Sequence, residues 1–107
     1  MAFTFTDENV REQIATGQPV VIDFWATWCG PCMAMAPIVD ALAKEYEGRV
    51  LIGKYNTDEE SEFCAENRVM GLPTFLFFKN GAITPIRVAG GVKESVLREK
   101  IEQLLAL

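Results

Sequence analysis

One stretch of this chain constrains its architecture more than any other: Val20-Val21-Ile22-Asp23-Phe24-Trp25-Ala26 is β-branched and aromatic, with little polar alternation. A strand with one face in water alternates apolar and polar side chains, whereas an unalternating run is covered on both faces. Such a strand belongs at the centre of a sheet with helices on either side. Asp23 is the anomaly in the run, because an ionised carboxylate taken out of water is costly unless it is paired or protonated.

The rest of the chain supplies the layers. Thr6 and Asp7 are candidate caps for a first helix carrying Val10 and Ile14, closed near Gly17 and Pro19. From Pro31, the residues Met35, Ile38, Val39, Leu42 and Tyr46 recur at helical spacing as far as Gly48, and Pro37 inside that pattern predicts a kink. Val50 to Tyr55 reads as a strand, and Thr57-x-x-Glu60 resembles a capping box opening a helix through about Asn67. Thr74 to Phe78 and Ala82 to Val88 flank Asn80-Gly81, a strong hairpin signal, and Pro85 assigns the second of these strands to the sheet edge. After Gly90-Gly91 a closing helix carries Leu97, Ile101, Leu104 and Leu105. The order is strand, helix, strand, helix, strand, helix, hairpin, helix. It implies an α/β domain over residues 1–107, a central mixed five-stranded sheet with four helices on both faces.

Composition removes several functions. Ten Lys and Arg against fifteen Asp and Glu give a formal charge of -5, which repels phosphate backbones and anionic lipid heads, so neither nucleic acid nor membrane is an expected partner. The longest apolar runs fall well short of the roughly 20 residues of a membrane helix. Met1 to Asp7 has neither a basic start nor a following apolar stretch, and the cytoplasm is the expected location. Three cysteines and no histidine argue against a secreted disulfide framework and exclude imidazole acid-base chemistry.

The chemistry concentrates in Trp28-Cys29-Gly30-Pro31-Cys32, where the central strand ends and the long helix begins. A thiolate at a helix N-terminus faces unpaired N–H groups and the positive end of the macrodipole, which lowers its pKa. Cys29 is therefore the expected nucleophile. Cys32, three residues on, is placed to resolve a mixed disulfide and close a ring, with Gly30 permitting the tight backbone and Pro31 stiffening it. Zinc usually needs four ligands and only Cys64 remains, so no metal is expected. Cys64 reads as a small buried hydrophobe, Trp25 and the Phe75, Phe77, Phe78 stripe as core, and Glu59, Glu60 and Glu62 as a solvated helix face. Trp28 has two readings of equal weight, loop packing and docking surface.

In motif and in element order the chain resembles the thioredoxin family from end to end. The resemblance rests on W-C-G-P-C after a strand, Gly71-Leu72-Pro73-Thr74 before the next, and Asp23. It implies the thioredoxin fold and a protein-disulfide reductase without cofactor, acting as a monomer on disulfide-containing client proteins and recharged by a thioredoxin reductase. It makes Pro73 a cis-proline facing the cysteines and gives the Leu72 backbone to an incoming substrate strand. The implied substrate-binding set is Trp28, Gly30, Pro31, Leu72, Pro73, Thr74 and Gly90. It assigns Asp23 a proton exchange with Cys32, with Lys54 nearby on a neighbouring strand.

The chain also departs from its family. Met33 stands after the second cysteine where Lys or Arg is frequent, so thiolate stabilisation rests more on the helix end; a Met33→Lys variant is expected to have a lower Cys29 pKa, which pH-dependent alkylation tests. Arg68-Val69-Met70 and Ala89-Gly90-Gly91 are unusual too, the latter leaving the register of Gly90 ambiguous by one residue. Two other functions remain open: a dedicated redox partner or oxidant on the same fold, separated by its reduction potential, and a binding module that uses Trp28 and Pro73 without chemistry.

Overall fold

The computed structural model describes residues 2–107 and leaves Met1, the first residue of the leader reading, outside the described residues. Its elements are β1 (Phe3–Phe5), α1 (Val10–Ala15), β2 (Val20–Trp25), α2 (Gly30–Glu45), β3 (Leu51–Asn56), α3 (Glu62–Glu66), β4 (Thr74–Lys79), β5 (Ala82–Ala89) and α4 (Glu94–Ala106). The strands form one five-stranded sheet in the order β1-β3-β2-β4-β5. β2 is central, parallel to β3 and antiparallel to β4, as its unalternating composition requires.

The pleat of β2 divides the core in two. Val20, Ile22 and Phe24 pack with Val10 and Ile14 of α1 and Phe63 of α3. Val21 points the other way and packs with Met35, Val39 and Leu42 of α2 and Leu97 and Ile101 of α4. Helices therefore cover both faces, and alternation puts Asp23 on the α2 side. α2 runs unbroken through Pro37.

β1 is only three residues long, too short for alternation to mark its bounds. It lies parallel to β3, with Phe3 opposite Gly53, and only glycine fits there: a Cβ on Gly53 would come 2.6 Å from the Phe3 carbonyl oxygen and into the Phe5 ring. At the hairpin, Asn80 and Gly81 both have positive φ, 57° and 82°, the mirror-image turn that matches strand twist. β5 is the edge strand, and its register with β4 shifts between Leu76 and Phe78. Pro85 lies within that irregularity, where no ladder donor is needed. Thr84 Oγ1 donates to the Phe77 carbonyl at 2.7 Å beside it.

Two capping expectations fail for a common reason. Asp7 does not cap α1. Thr6 and Asn9 bond each other reciprocally at 2.9 and 3.1 Å, and the Asp7 carboxylate instead accepts the N–H groups of Ser61, Glu62 and Phe63 at 3.2, 3.1 and 2.9 Å, capping α3 across the sequence. Tyr55 Oη also donates to Asp7, at 2.6 Å. Burial pushes the Asp7 carboxyl up, but the hydrogen bonds from Tyr55 and these amides outweigh it and hold the pKa at about 2. With the cap supplied from outside, Thr57 and Glu60 form no capping box: Thr57 Oγ1 donates to the Trp25 carbonyl at 3.1 Å, and Glu60 accepts the Asp7 N–H at 2.7 Å. The third helix accordingly starts at Glu62 and not at Thr57.

Candidate active site

Where β2 ends, the chain turns through Ala26 to Trp28 and enters α2, and Cys29 is the residue at that entry. It is the N-cap of α2, in extended backbone, and its Sγ accepts the Cys32 N–H at 3.2 Å. Sulfur thus occupies the position that a serine or aspartate oxygen takes at an ordinary N-cap. Charge on that sulfur would be stabilised by the amide and by the helix end together. The two cysteines are joined in a disulfide with Cα atoms 5.3 Å apart. Both are buried against Ala26, Trp25 and Leu72, Cys29 showing slightly more area than Cys32.

Other loops converge on this turn. The Leu72–Pro73 peptide is cis. Leu72 packs on the cysteine cluster, and its backbone enters no turn, loop or cap hydrogen bond among the described residues. The Pro73 carbonyl accepts the Gly90 N–H at 2.7 Å, with Gly90 in the left-handed region at φ 90°. A Cβ on Gly91 would touch Pro31 at 3.5 Å, so Gly90 and Gly91 both border the site. Thr74 is buried, its hydroxyl donating to the Gly71 carbonyl at 2.6 Å, a structural bond at the start of β4.

Trp28 is 74% exposed, its indole held only at the edge. The residue that fixes it is one the sequence did not single out. Asp58, in the loop after β3, accepts Trp28 Nε1–H at 3.1 Å and both the N–H and the hydroxyl of Thr27 at 2.9 and 2.8 Å. The Thr27 backbone and side-chain bonds hold the Asp58 carboxyl below the usual range, and the indole adds to them. Nothing local marks such a contact, since the partners are some thirty positions apart.

Asp23 is 1% exposed, and neither of its oxygens has a hydrogen-bond partner among the described residues. Burial raises its pKa to about 7, against the opposing charge of Lys54 and with a further push from Asp40 on α2. Lys54 is the in-register neighbour of Asp23 on β3, but it forms no ion pair with it: the ammonium lies over the Trp25 ring, 4.6 Å from its centroid. Trp25 is only half-buried, a correction to its reading as core. Lys54, Asp40 and Trp25 border a cavity of about 300 Å³ under the N-terminal strand. Met33 is half-exposed on the first turn of α2, and Cys64 is partly buried in α3, its thiol pKa raised by burial and then by Asp7.

A disulfide between the N-cap and the first turn of a helix, set beside a cis-proline loop on a mixed sheet, defines a redox-active dithiol domain. The Thioredoxin family model matches residues 1–103, and the chain belongs to that family. It is 46% identical over 101 residues to Thioredoxin M-type, chloroplastic, of Spinacia oleracea, an alignment covering 94% of this chain and 55% of that protein. It is 37% identical over 101 residues to Thioredoxin 1 of Nostoc sp. (strain PCC 7120 / SAG 25.82 / UTEX 2576), covering 94% of each. The chain thus spans about half the length of the plant relatives it matches, 55% for spinach and 53% for pea. Among solved structures, a chain from work on the thiol resolving mechanism in yeast mitochondrial 1-Cys peroxiredoxin via glutathione/thioredoxin systems superposes with a TM-score of 0.85 at 30% identity, covering 95% of this chain and 94% of that one. No helix among the described residues is long and apolar enough to cross a membrane.

Proposed function

We propose that this domain reduces disulfides in client proteins by dithiol-disulfide exchange, with Cys29 as nucleophile and Cys32 as resolving thiol. The observation that carries the reading is the N-cap position of Cys29, whose sulfur accepts the Cys32 amide. In the reduced protein the Cys29 thiolate attacks one sulfur of a client disulfide. The S–S bond of the client breaks as the mixed disulfide forms, and the client's other sulfur leaves as a thiolate that takes a proton from solvent. Cys32, losing its proton, then attacks Cys29 Sγ; the Cys29-Cys32 bond forms and the second client thiolate departs. Two electrons pass to the client, and a thioredoxin reductase returns them.

Asp23 is the group we assign to receive the Cys32 proton. It lies on the α2 side of β2, its oxygens are unspent, and a pKa of about 7 suits a base working near neutrality. Lys54 acts on Asp23 through its field and not by contact. An extended client strand adds to the free backbone of Leu72 beside Pro73, with Trp28, Gly30, Pro31, Thr74 and Gly90 forming the border. The protein acts as a cytoplasmic monomer in this reading.

Two measurements test it. A Cys32→Ser variant should accumulate mixed disulfides with clients through Cys29, and a Cys29→Ser variant should accumulate none; equal trapping by both would refute the assignment of nucleophile. Equilibration of the Cys29-Cys32 pair in dithiothreitol and glutathione buffers should give a potential more reducing than about -220 mV, within the cytosolic glutathione range. A value well on the oxidising side would make the pair a disulfide donor.

A further inference from the structure

Proton exchange at Asp23 has one charged neighbour that the mechanism above leaves unused. Asp40 lies on α2 about two turns beyond Cys32, half-buried at the edge of the cavity that Lys54 and Trp25 also border. Its Oδ1 accepts the Ala2 N–H at 3.1 Å, and among the described residues its carboxylate enters no ion pair. Ala2 packs on the α2 side of the core, so the chain entering β1 holds the carboxylate against the cavity. The other charges here are otherwise engaged. Glu60 accepts the Asp7 N–H at 2.7 Å and Glu59 the Asn56 side-chain amide at 3.2 Å, while the Lys54 ammonium lies over Trp25. Around Asp23 itself, β4 offers the in-register Phe75 and α4 turns Leu97 and Ile101 to this side, so no further charge comes from those elements. One ammonium is set among the carboxylates of Asp23, Asp40, Glu59 and Glu60, and it pairs with none of them among the described residues.

Resting on the assignment of Asp23 as the base for Cys32, we propose that Asp40 is a positioning residue for that exchange: held by the Ala2 amide, its negative charge opposes the Lys54 field, so that Asp23 takes up the Cys32 proton instead of resting as a stabilised anion. The two neighbours act on Asp23 with opposite sign. A cation alone would favour the ionised carboxylate and weaken it as a base, and a second anion across the same cavity restores its affinity for a proton. Neither needs contact, because a field crossing a partly enclosed space is screened less than one on the open surface. The N-terminal strand thereby becomes part of the mechanism, since releasing Ala2 would let the Asp40 carboxylate turn to solvent.

Three variants test the idea. Asp40→Asn keeps an oxygen to accept the Ala2 N–H and removes the charge, Asp40→Glu disturbs the packing and keeps the charge, and Glu99→Gln removes a charge from the exposed face of α4. The Asp23 carboxyl is titrated by carbon-13 NMR in the oxidised protein, where the Cys29 and Cys32 thiols cannot contribute. Its midpoint should lie about 0.3 to 1 pH unit lower in Asp40→Asn, move less than half as far in Asp40→Glu, and stay in place in Glu99→Gln. Ring closure is read by rapid mixing of the reduced protein with one equivalent of dithiobis(nitrobenzoate): Cys29 displaces one nitrothiobenzoate, and attack by Cys32 displaces the second as the Cys29-Cys32 bond forms. The pH midpoint of that second release should fall together with that of Asp23. An Asp23 midpoint that stays in place in Asp40→Asn, or that Asp40→Glu moves equally, would overturn the proposal, with unchanged amide resonances of Phe3–Phe5 showing that β1 is still docked. A carboxyl midpoint that moves while ring closure does not would overturn the part of Asp40 in the exchange, and that of Asp23 with it. Absence of the second release from every protein, wild type included, would instead overturn the reductase reading.

Discussion

Replacing Asp23 with asparagine should make the oxidised protein more stable at pH 8 and remove the loss of stability that this carboxyl introduces as pH rises. The Asp23 carboxyl is raised from 3.8 to about 7 by burial, partly offset by Lys54 and reinforced by Asp40. Raised in the folded state, the group binds a proton there that the unfolded chain has already released, so folding is penalised above the unfolded pKa. The penalty is absent below about pH 4, grows between about 4 and 7, and is complete above 7. A rise of about three units at 1.36 kcal/mol each amounts to about 4 kcal/mol, a large part of the roughly 5–15 kcal/mol that holds a domain together.

The amide introduced by Asp23→Asn would still lack partners, as both oxygens of Asp23 do, at a pH-independent cost of about 1–3 kcal/mol. The observable is therefore the difference between variant and wild type as a function of pH. Urea unfolding from pH 4.5 to 8.5 should show that difference moving by about 3–4 kcal/mol in favour of the variant, with m-values unchanged. Parallel profiles would refute the burial of an ionisable group at this position and, with it, the assignment of Asp23 as a base near neutrality.

Asp7 should behave in the opposite sense: its depressed pKa of about 2 gives stability that is present above pH 4 and lost as pH falls through 2, so an Asp7→Asn variant should be less stable by about 1–2 kcal/mol at pH 7 and converge with wild type in acid-unfolding curves. Asp58→Ala should free the Trp28 indole, raising KM for protein disulfides about fivefold to tenfold while leaving the rate on 2-hydroxyethyl disulfide unchanged; a sharp, unshifted Trp28 Nε1–H resonance in the variant would contradict the clamp. Gly53→Ala should cost about 1–3 kcal/mol by driving β1 off β3, read as a lowered urea midpoint and faster amide exchange confined at first to Phe3–Phe5.

What the sequence discloses and what it withholds divide along a physical line. Val20–Trp25 is legible as the central strand because burial on both faces is written into the strand's own residues, and the hairpin is legible because positive φ at Asn80 and Gly81 demands those residue types. Cys29 and Cys32 are legible because their spacing and the helix that follows are local. The misreadings all involve partners distant in sequence. Asp7 looks like a cap and is one, but for a helix over fifty positions away. Lys54 is correctly placed beside Asp23 by strand register, yet its ammonium settles on Trp25. Asp58 has no local signature, because its role exists only once the loops after β2 and β3 are side by side.

Asp7 and Asp23 together show how one residue type is put to two uses within a single small fold. Asp23 is wholly withdrawn from water and Asp7 only in part, and burial is the leading upward influence on each. At Asp7 the fold supplies a phenol and three amides, so the anion is retained and the charge serves structure. At Asp23 it supplies none, only the field of an ammonium turned towards an indole. Supplying Asp23 with donors would recover stability and lower its pKa, and a carboxylate with a low pKa cannot take a proton from a thiol near neutral pH. If Asp23 takes the Cys32 proton as proposed, the missing hydrogen bonds are the feature that lets it titrate where that exchange needs it. The stability lost there is the kind of local cost expected at a working site and not in the surrounding core.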